Sequence, residues 1–230
     1  MSDFAPRAFG AELALPAAER NKVLRNTYWL LALSMLPTVL GAWVGVQTGA
    51  YQALHGVMGM VVFFAGAFGF MFAIEKTKDS GLGVAMLLGF TFFMGLMLSG
   101  LIVSILGLSN GPALIMTAFG GTAGVFLGMA TIATVVKREL SGFAKFLSMG
   151  ALVLMIASII AALTHSTAGM LAVSVAAIAI FSGFMVVDLK RVMDGGETNY
   201  ISATLSLYLS VYNVFQSLLV LLGVFGGERD

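Results

Sequence analysis

The chain has 230 residues, of which 59% are apolar and only 10% are charged, and its mean hydropathy is +1.00. Soluble domains carry roughly 25% charged residues, so this composition excludes an ordinary soluble fold and favours a protein of the lipid bilayer. The formal net charge of +1 gives no basic surplus for binding nucleic acid. Because cysteine is absent, disulfides, thiolate metal sites and a cysteine nucleophile are excluded as well.

The N-terminal segment differs from the rest of the chain. Residues 1–26 are polar and of mixed charge, which predicts a flexible tail. They lack the early apolar region of a cleavable signal peptide, so the first apolar stretch should insert into the membrane and remain there.

Seven stretches contain no Asp, Glu, Lys or Arg, and each is long enough for a helix to cross a hydrocarbon layer of about 30 Å. In lipid, backbone groups must be paired within the segment, and these stretches lack the alternation of barrel strands, so we expect helices. The stretches are Thr27–Val46, Leu54–Ile74, Leu82–Leu106, Ala113–Val136, Phe146–Leu163, Ala168–Val187 and Ile201–Phe225. The sequence therefore predicts an all-α membrane protein with one seven-helix bundle over residues 27–225 and a short tail over residues 226–230.

The basic residues are distributed asymmetrically. Eleven of the twelve Lys and Arg residues fall in the N-terminal tail or in the second, fourth and sixth connections, and only Arg229 falls on the other side. By the positive-inside rule, the side with eleven is cytoplasmic. An odd number of crossings then predicts a cytoplasmic N-terminus and a C-terminus on the opposite side of the membrane.

Small residues recur in the fourth predicted helix, where Gly120, Gly124 and Gly128 are spaced four apart. This spacing lets a second helix approach closely. The partner is either another helix of the same chain, which is the preferred interpretation, or a second copy.

Asp188 ends the sixth apolar stretch, beside Lys190 and Arg191. One interpretation is a carboxylate that is solvated at the cytoplasmic edge and paired with a nearby base. The other is a partly desolvated carboxylate that titrates as a pH sensor.

The seventh predicted helix carries a polar stripe. At 100° per residue, its members fall within an arc of about 80°, so the stripe should face the bundle interior. It consists of Ser202, Ser206, Ser210, Asn213 and Ser217. The stripe either satisfies itself by hydrogen bonds between helices or lines a polar path, for which Ser206, Ser210, Asn213 and Ser217 are the candidates.

The apolar stretches hold no paired acids, no Ser–His dyad and no pair of metal-binding histidines, since His55 is their only histidine. The sequence therefore predicts neither an enzyme nor a metal or cofactor site.

Several segments resemble one known family. The run at residues 195–201, Gly-Gly-Glu-Thr-Asn-Tyr-Ile, together with Tyr208, Tyr212 and Asn213, is similar to the last loop and helix of the Bax-inhibitor family of transmembrane proteins. The segments Gly111–Pro112 and Lys137–Ser141 resemble the family signature around its fourth helix. The segment Lys22–Tyr28 resembles the bacterial YccA branch.

This resemblance implies a multi-pass protein of the bacterial inner membrane, with residues 226–230 in the periplasm. It also implies a partner, the membrane-anchored ATP-dependent protease FtsH, whose activity such a protein modulates as a poorly processed substrate. The exposed N-terminal tail is the expected point of engagement. The residues of the family loop are Gly195, Gly196, Glu197, Thr198, Asn199 and Tyr200.

The alternative function implied by the resemblance is a pH-sensitive leak for calcium ions or protons. In the family this activity rests on two facing aspartates in the sixth and seventh helices. Asp188 falls on the first of these positions and Ser210 on the second. The missing second acid weakens the leak hypothesis, because two carboxylates that share one site perturb each other strongly.

Overall fold

The computed structural model describes residues 17–54 and 56–227, and within these ranges the regular structure is entirely helical. Eight helices follow one another along the described chain. They are α1 (Ala17–Thr48), α2 (Ala50–Ala53), α3 (Gly56–Thr77), α4 (Gly81–Leu106), α5 (Gly111–Val135), α6 (Ser141–Leu163), α7 (Thr167–Met193) and α8 (Tyr200–Phe225).

Seven of these helices, all except α2, are long and apolar enough to cross a membrane. The shortest, α3, has 22 residues and α1 has 32. At 1.5 Å per residue even α3 extends for about 33 Å, which covers the hydrocarbon layer. The predicted all-α bundle with seven membrane-spanning helices is therefore confirmed.

Four helices, α1, α3, α6 and α7, extend beyond their charge-free stretches and include charged residues. Helix α1 begins at Ala17, so it overlaps the last part of the predicted tail, and residues 1–16 lie outside the described part of the chain. Arg20, in the first turns of α1, donates a hydrogen bond of 3.3 Å to the carbonyl oxygen of Met193. Helix α7 continues to Met193 and so includes Asp188. Absence of charge marks the part of a helix in lipid, whereas backbone hydrogen bonding continues into the polar region.

Helix α8 packs against α1, α4, α5 and α7 and forms the centre of the bundle. Tyr208 and Tyr212 on this helix are 1% and 7% exposed. The Tyr208 hydroxyl lies 2.9 Å from the hydroxyl of Thr38 on α1, and the Tyr212 hydroxyl donates a bond of 3.2 Å to the carbonyl oxygen of Met94 on α4. The two rings thus join three helices, and their hydroxyls are paired as burial requires.

Helices α1 and α4 approach each other closely because glycine lies at their contact. A Cβ atom placed on Gly41 would collide with the carbonyl oxygen of Phe92, and one on Gly95 would collide with the carbonyl oxygen of Thr38. Without a hydrophobic drive between helices in lipid, such close backbone packing supplies much of the attraction.

The glycines of α5 have a different environment. Gly120, Gly124 and Gly128 are exposed, and a Cβ atom on any of them would meet nothing within 4 Å. The preferred interpretation of this spacing, a contact within the chain, is therefore wrong. Gly121 faces α8 instead, where Leu218 lies against it.

The outer surface of the bundle is apolar, as expected for contact with lipid. Large side chains such as Phe72, Phe146 and Val153 are 64%, 69% and 65% exposed. Trp29 and Trp43 are also exposed on α1, and helical rise separates them by about 21 Å. Tryptophan is enriched at both membrane–water interfaces, so this pair fits a bilayer-spanning helix.

Candidate functional site

The family loop begins with a tight end to helix α7. Gly195 has a φ of 83°, in the left-handed region that favours glycine. The amide of Gly196 donates to the carbonyl of Arg191 at 2.9 Å, and the amide of Gly195 donates to the carbonyl of Val192 at 3.1 Å. These two bonds form a Schellman motif, which satisfies carbonyls at the helix end and fixes the direction in which the loop leaves it.

Asn199 closes the loop and starts helix α8. Its side-chain oxygen accepts bonds from the amides of Ile201 and Ser202 at 2.9 and 3.2 Å, so it is the N-cap of α8. Its side-chain nitrogen donates to the carbonyl of Lys78 at 3.0 Å and to the carboxylate of Asp79 at 2.9 Å. One side chain therefore caps α8 and holds the α3–α4 connection against it.

Glu197 supports this arrangement from within the loop. Its carboxylate accepts a bond of 2.9 Å from the backbone amide of Asn199. Because this bond orients the backbone at Asn199, it helps to aim the side chain of Asn199 at both of its partners. The predicted loop residues thus form a structural junction between α3, α4, α7 and α8.

Ion pairs surround the junction. Lys190 binds Asp194 at 2.7 Å one helical turn away, and Lys78 pairs with Glu75. The hydrogen bond to the Glu75 carboxylate raises the pKa of Lys78, so this lysine stays charged at neutral pH. We call this side of the bundle, defined by the connections at residues 78–80, 136–140 and 194–199, the basic end.

Asp188 lies on α7, five residues before its last residue, and is half-buried. Arg191 and Glu197 are the charged groups that act on it electrostatically. Within residues 17–54 and 56–227, no ion pair to Asp188 is formed, and its neighbour Lys190 binds Asp194 instead. Both interpretations of Asp188 stay predictions, although the described residues show no ion pair between it and a nearby base.

The polar stripe of α8 is not uniformly buried. Ser210 and Ser217 are 3% and 7% exposed, whereas Ser206 is exposed. The side chain of Asn213 donates to the carbonyl of Leu209 in its own helix at 2.8 Å. Asp188 and Ser210 lie five and ten residues from the helix ends that flank the loop, so helical rise separates their levels by about 8 Å.

The double role of Asn199 was not predicted from the sequence, and neither were the partners of the Tyr208 and Tyr212 hydroxyls on α1 and α4. The signal for Asn199 is its place directly before a charge-free stretch, which is typical of an N-cap. No local pattern identifies Lys78 and Asp79 as its partners, because they lie about 120 residues away in the chain. Among the described residues, no cluster of three acids or histidines could hold a metal ion.

Comparison with protein families gives one match that covers most of the chain. The model of the family described as inhibitor of apoptosis-promoting Bax1 matches residues 20–227. This range begins in the first turns of α1 and extends past the end of α8.

Comparison with curated proteins gives bacterial relatives of similar length. A Vibrio cholerae protein described as an uncharacterized membrane protein is 34% identical over 206 residues, which cover 90% of this chain and 91% of that protein. A protein of Escherichia coli K12 named modulator of FtsH protease YccA is 34% identical over 203 residues, or 88% of this chain and 90% of that protein. Its counterpart in Escherichia coli O6:H1, with the same identity and coverage, is named inner membrane protein YccA.

Proposed function

We infer the function of this chain from its family: it belongs to the family described as inhibitor of apoptosis-promoting Bax1, in common with the bacterial YccA proteins. It is a multi-pass protein of the bacterial inner membrane, as its seven apolar helices and its relatives indicate. Family and relatives describe a regulatory membrane protein rather than a known enzyme.

We propose that the chain binds the membrane-anchored protease FtsH and modulates it as a poorly processed substrate. The observation that carries this proposal is the 34% identity to the E. coli modulator over 203 residues, or 88% of the chain. A bundle fastened at the basic end, as by Asn199, would resist being pulled apart, and this property suits a slow substrate.

We further propose that the basic end is cytoplasmic. Lys and Arg crowd its connections and the N-terminal segment, and the positive-inside rule places such loops in the cytoplasm. With seven crossings, residues 226–230 would then lie in the periplasm. Reporter fusions after Arg138 and after Asp230 test this: the first should be active in the cytoplasm and the second in the periplasm. A cytoplasmic C-terminal reporter would contradict the orientation.

The N-terminal segment is the proposed handle for the protease. An unfolding motor needs an exposed end to begin, and residues 1–16, which carry Asp3, Arg7 and Glu12, precede the first charge-free stretch. A deletion should stop before Ala17, because Arg20 on α1 bonds to Met193. Deletion of residues 2–16 would then remove the handle and leave the described bundle complete.

The experiment combines association with turnover. Full-length and shortened proteins are expressed with the protease, extracted in mild detergent and tested for co-purification, and their degradation is followed after synthesis is stopped. We expect both forms to co-purify but only the full-length form to be degraded. Equal degradation would contradict the handle, whereas failure of both forms to co-purify would contradict the partner. A polar linker of equal length in place of residues 2–16 should restore degradation.

The leak pathway is the second candidate, and Asp188 is the observation in its favour. This half-buried acid near the end of a membrane helix is of the kind that marks ion paths. In this proposal calcium ions or protons are the transported species, and Ser206, Ser210, Asn213 and Ser217 are the lining. Ser210 at the second aspartate position argues against it, so we rank it below protease modulation.

A further inference from the structure

A cavity of about 600 Å³ opens between α3 and α6, at the end of the bundle opposite the basic end. Helix α3 packs chiefly on α4, and α6 packs chiefly on α7, which leaves a gap between them. Residues of α4, α7 and α8 also line the gap. Its volume lies within the range of about 300–1,000 Å³ that is typical of small-molecule sites.

The lining is apolar and aromatic, with a few polar groups. Phe63 and Phe64 of α3, Met97 of α4 and Gln216 of α8 line its deeper part, and His165 lies at the outer end. The described lining residues include no Asp, Glu, Lys or Arg. Such a lining favours an uncharged ligand, because a charged one would lose its hydration without gaining an opposite charge.

Gln216 is the unusual member of this lining. This residue is exposed and lines the cavity, and its carboxamide makes no hydrogen bond to any of residues 17–54 and 56–227. The serines of the lining differ, since Ser158 and Ser174 donate to carbonyls of their own helices at 2.8 Å. An unpaired amide within the hydrocarbon is costly, so a ligand that supplies a partner would be stabilised there.

The depth of Gln216 in the membrane limits which chemical groups can be its hydrogen-bond partner. It lies nine residues before Phe225, the last residue of α8, and helical rise places it about 14 Å from that end. The ester groups of phospholipids lie at the border of the hydrocarbon rather than at this depth. The partner is thus a hydrogen-bonding group that resides within the hydrocarbon, on a molecule without a charged head group.

We propose that this cavity binds a neutral, lipid-soluble ring carbonyl compound of the quinone class, whose carbonyl oxygen accepts a hydrogen bond from the Gln216 carboxamide. The flat ring would lie among Phe63, Phe64 and Met97, where aromatic and thioether groups offer favourable contacts. This inference goes beyond protease modulation and does not depend on it, and it assigns the protein only a binding site.

The test uses two probes of similar size and apolarity, a benzoquinone with a ten-carbon chain and decylbenzene, which has no carbonyl. Binding to the full-length protein in mild detergent is measured by equilibrium titration. We expect the quinone to bind about tenfold more tightly than decylbenzene. Gln216→Leu should weaken quinone binding about tenfold, the effect of one hydrogen bond of about 1.4 kcal/mol, and leave decylbenzene binding unchanged.

Two further variants locate the site. Gln52→Leu removes a carboxamide that does not line this cavity, and it should leave quinone binding unchanged. Ala162→Phe places a ring in the cavity and should weaken binding of both probes. Unaltered thermal unfolding without a probe shows that each variant is folded.

Three outcomes would overturn the proposal. They are the absence of quinone binding, equal binding of both probes, and quinone binding that Gln216→Leu leaves unchanged. A phosphatidylglycerol that displaces the quinone, and loses affinity in Gln216→Leu, would show that a phospholipid ester is the ligand and would also overturn the ring carbonyl assignment.

Discussion

The contact between α1 and α4 and the outward face of α5 are both built with glycine, but only the first contains a close approach of two helices. At Gly41 and Gly95, each helix lies against backbone carbonyls of the other. At Gly120, Gly124 and Gly128, a side chain would meet open space. Glycine spacing permits close packing, but the face on which a helix actually packs is set by the other contacts of the bundle.

The largest difference in stability is expected when alanine replaces glycine at these two kinds of position. Gly41→Ala places a methyl group against the Phe92 carbonyl, so α1 and α4 must move apart, and the free energy of unfolding should fall by about 1–3 kcal/mol. Gly124→Ala meets nothing and should leave stability unchanged or raise it by up to about 1 kcal/mol, because alanine favours a helix. Thermal unfolding in detergent measures both. If both variants were destabilised equally, the α1–α4 contact and the outward face of α5 would not differ in packing.

A somewhat smaller loss of stability is expected from a substitution at the basic end. There the helices are joined by a side chain rather than by close backbone packing. Asn199→Ala removes the cap of α8 and both bonds to the α3–α4 connection, so stability should fall by about 1–2 kcal/mol. Asn21→Ala, at an exposed position on α1, is the control and should have almost no effect. An Asn199 variant as stable as the control would show that the junction does not hold the helices.

Tyr208→Phe tests the contact of α8 with α1, beside the α1–α4 contact. The ring is kept, but the hydroxyl that lies 2.9 Å from the Thr38 hydroxyl is lost. Thr38 still donates to the carbonyl of Ser34 at 2.8 Å, so no group on α1 is left without a partner. We expect a loss of about 1 kcal/mol, measured by the same unfolding experiment. Tyr200→Phe at the start of α8 is the matched control, and an equal loss there would contradict a special role for Tyr208.

The smallest effect is expected at Asp188, away from the α1–α4 contact, where the measured quantity is ion flux. Reconstituted vesicles should show little calcium or proton flux at any pH, and Asp188→Asn should change it little, because a single acid near the basic end stays accessible to water. Ser210→Asp adds a second carboxylate, whose repulsion of the first should create pH-dependent flux. Strong flux in the unmodified protein, with a pH midpoint that Asp188→Asn abolishes, would place the leak pathway above protease modulation.

Local composition was sufficient for the architecture, whereas the family loop was identified by resemblance to a known family. Seven charge-free stretches predicted seven spanning helices, because lipid makes both charges and unpaired backbone groups costly along a whole span. Resemblance to the family singles out the loop at residues 195–200, and Gly195 and Asn199 act there as helix-ending and helix-starting residues. These roles are local, since each depends on bonds within a few residues.

Contacts between distant parts of the chain decided which side chains are buried and which line the cavity. A polar stripe on α8 is visible in the sequence, but which of its members are buried follows from the helices around α8, which leave Ser206 exposed and Ser210 buried. Gln216 lines a cavity only because α3 and α6 lie apart at this end of the bundle, which its own segment does not show.

The sequence by itself determined that this chain is an all-helical membrane protein with seven spans, because solvation by lipid acts on each segment alone. Its similarity to known proteins also determined that it belongs to the Bax inhibitor family. Only the tertiary structure decided that Gly41 and Gly95, and not Gly120, Gly124 and Gly128, form the close helix contact. It alone also brought Asn199 to Lys78 and Asp79. The physical reason is that packing and hydrogen bonding between helices depend on the relative placement of faces far apart in sequence, which no single segment encodes.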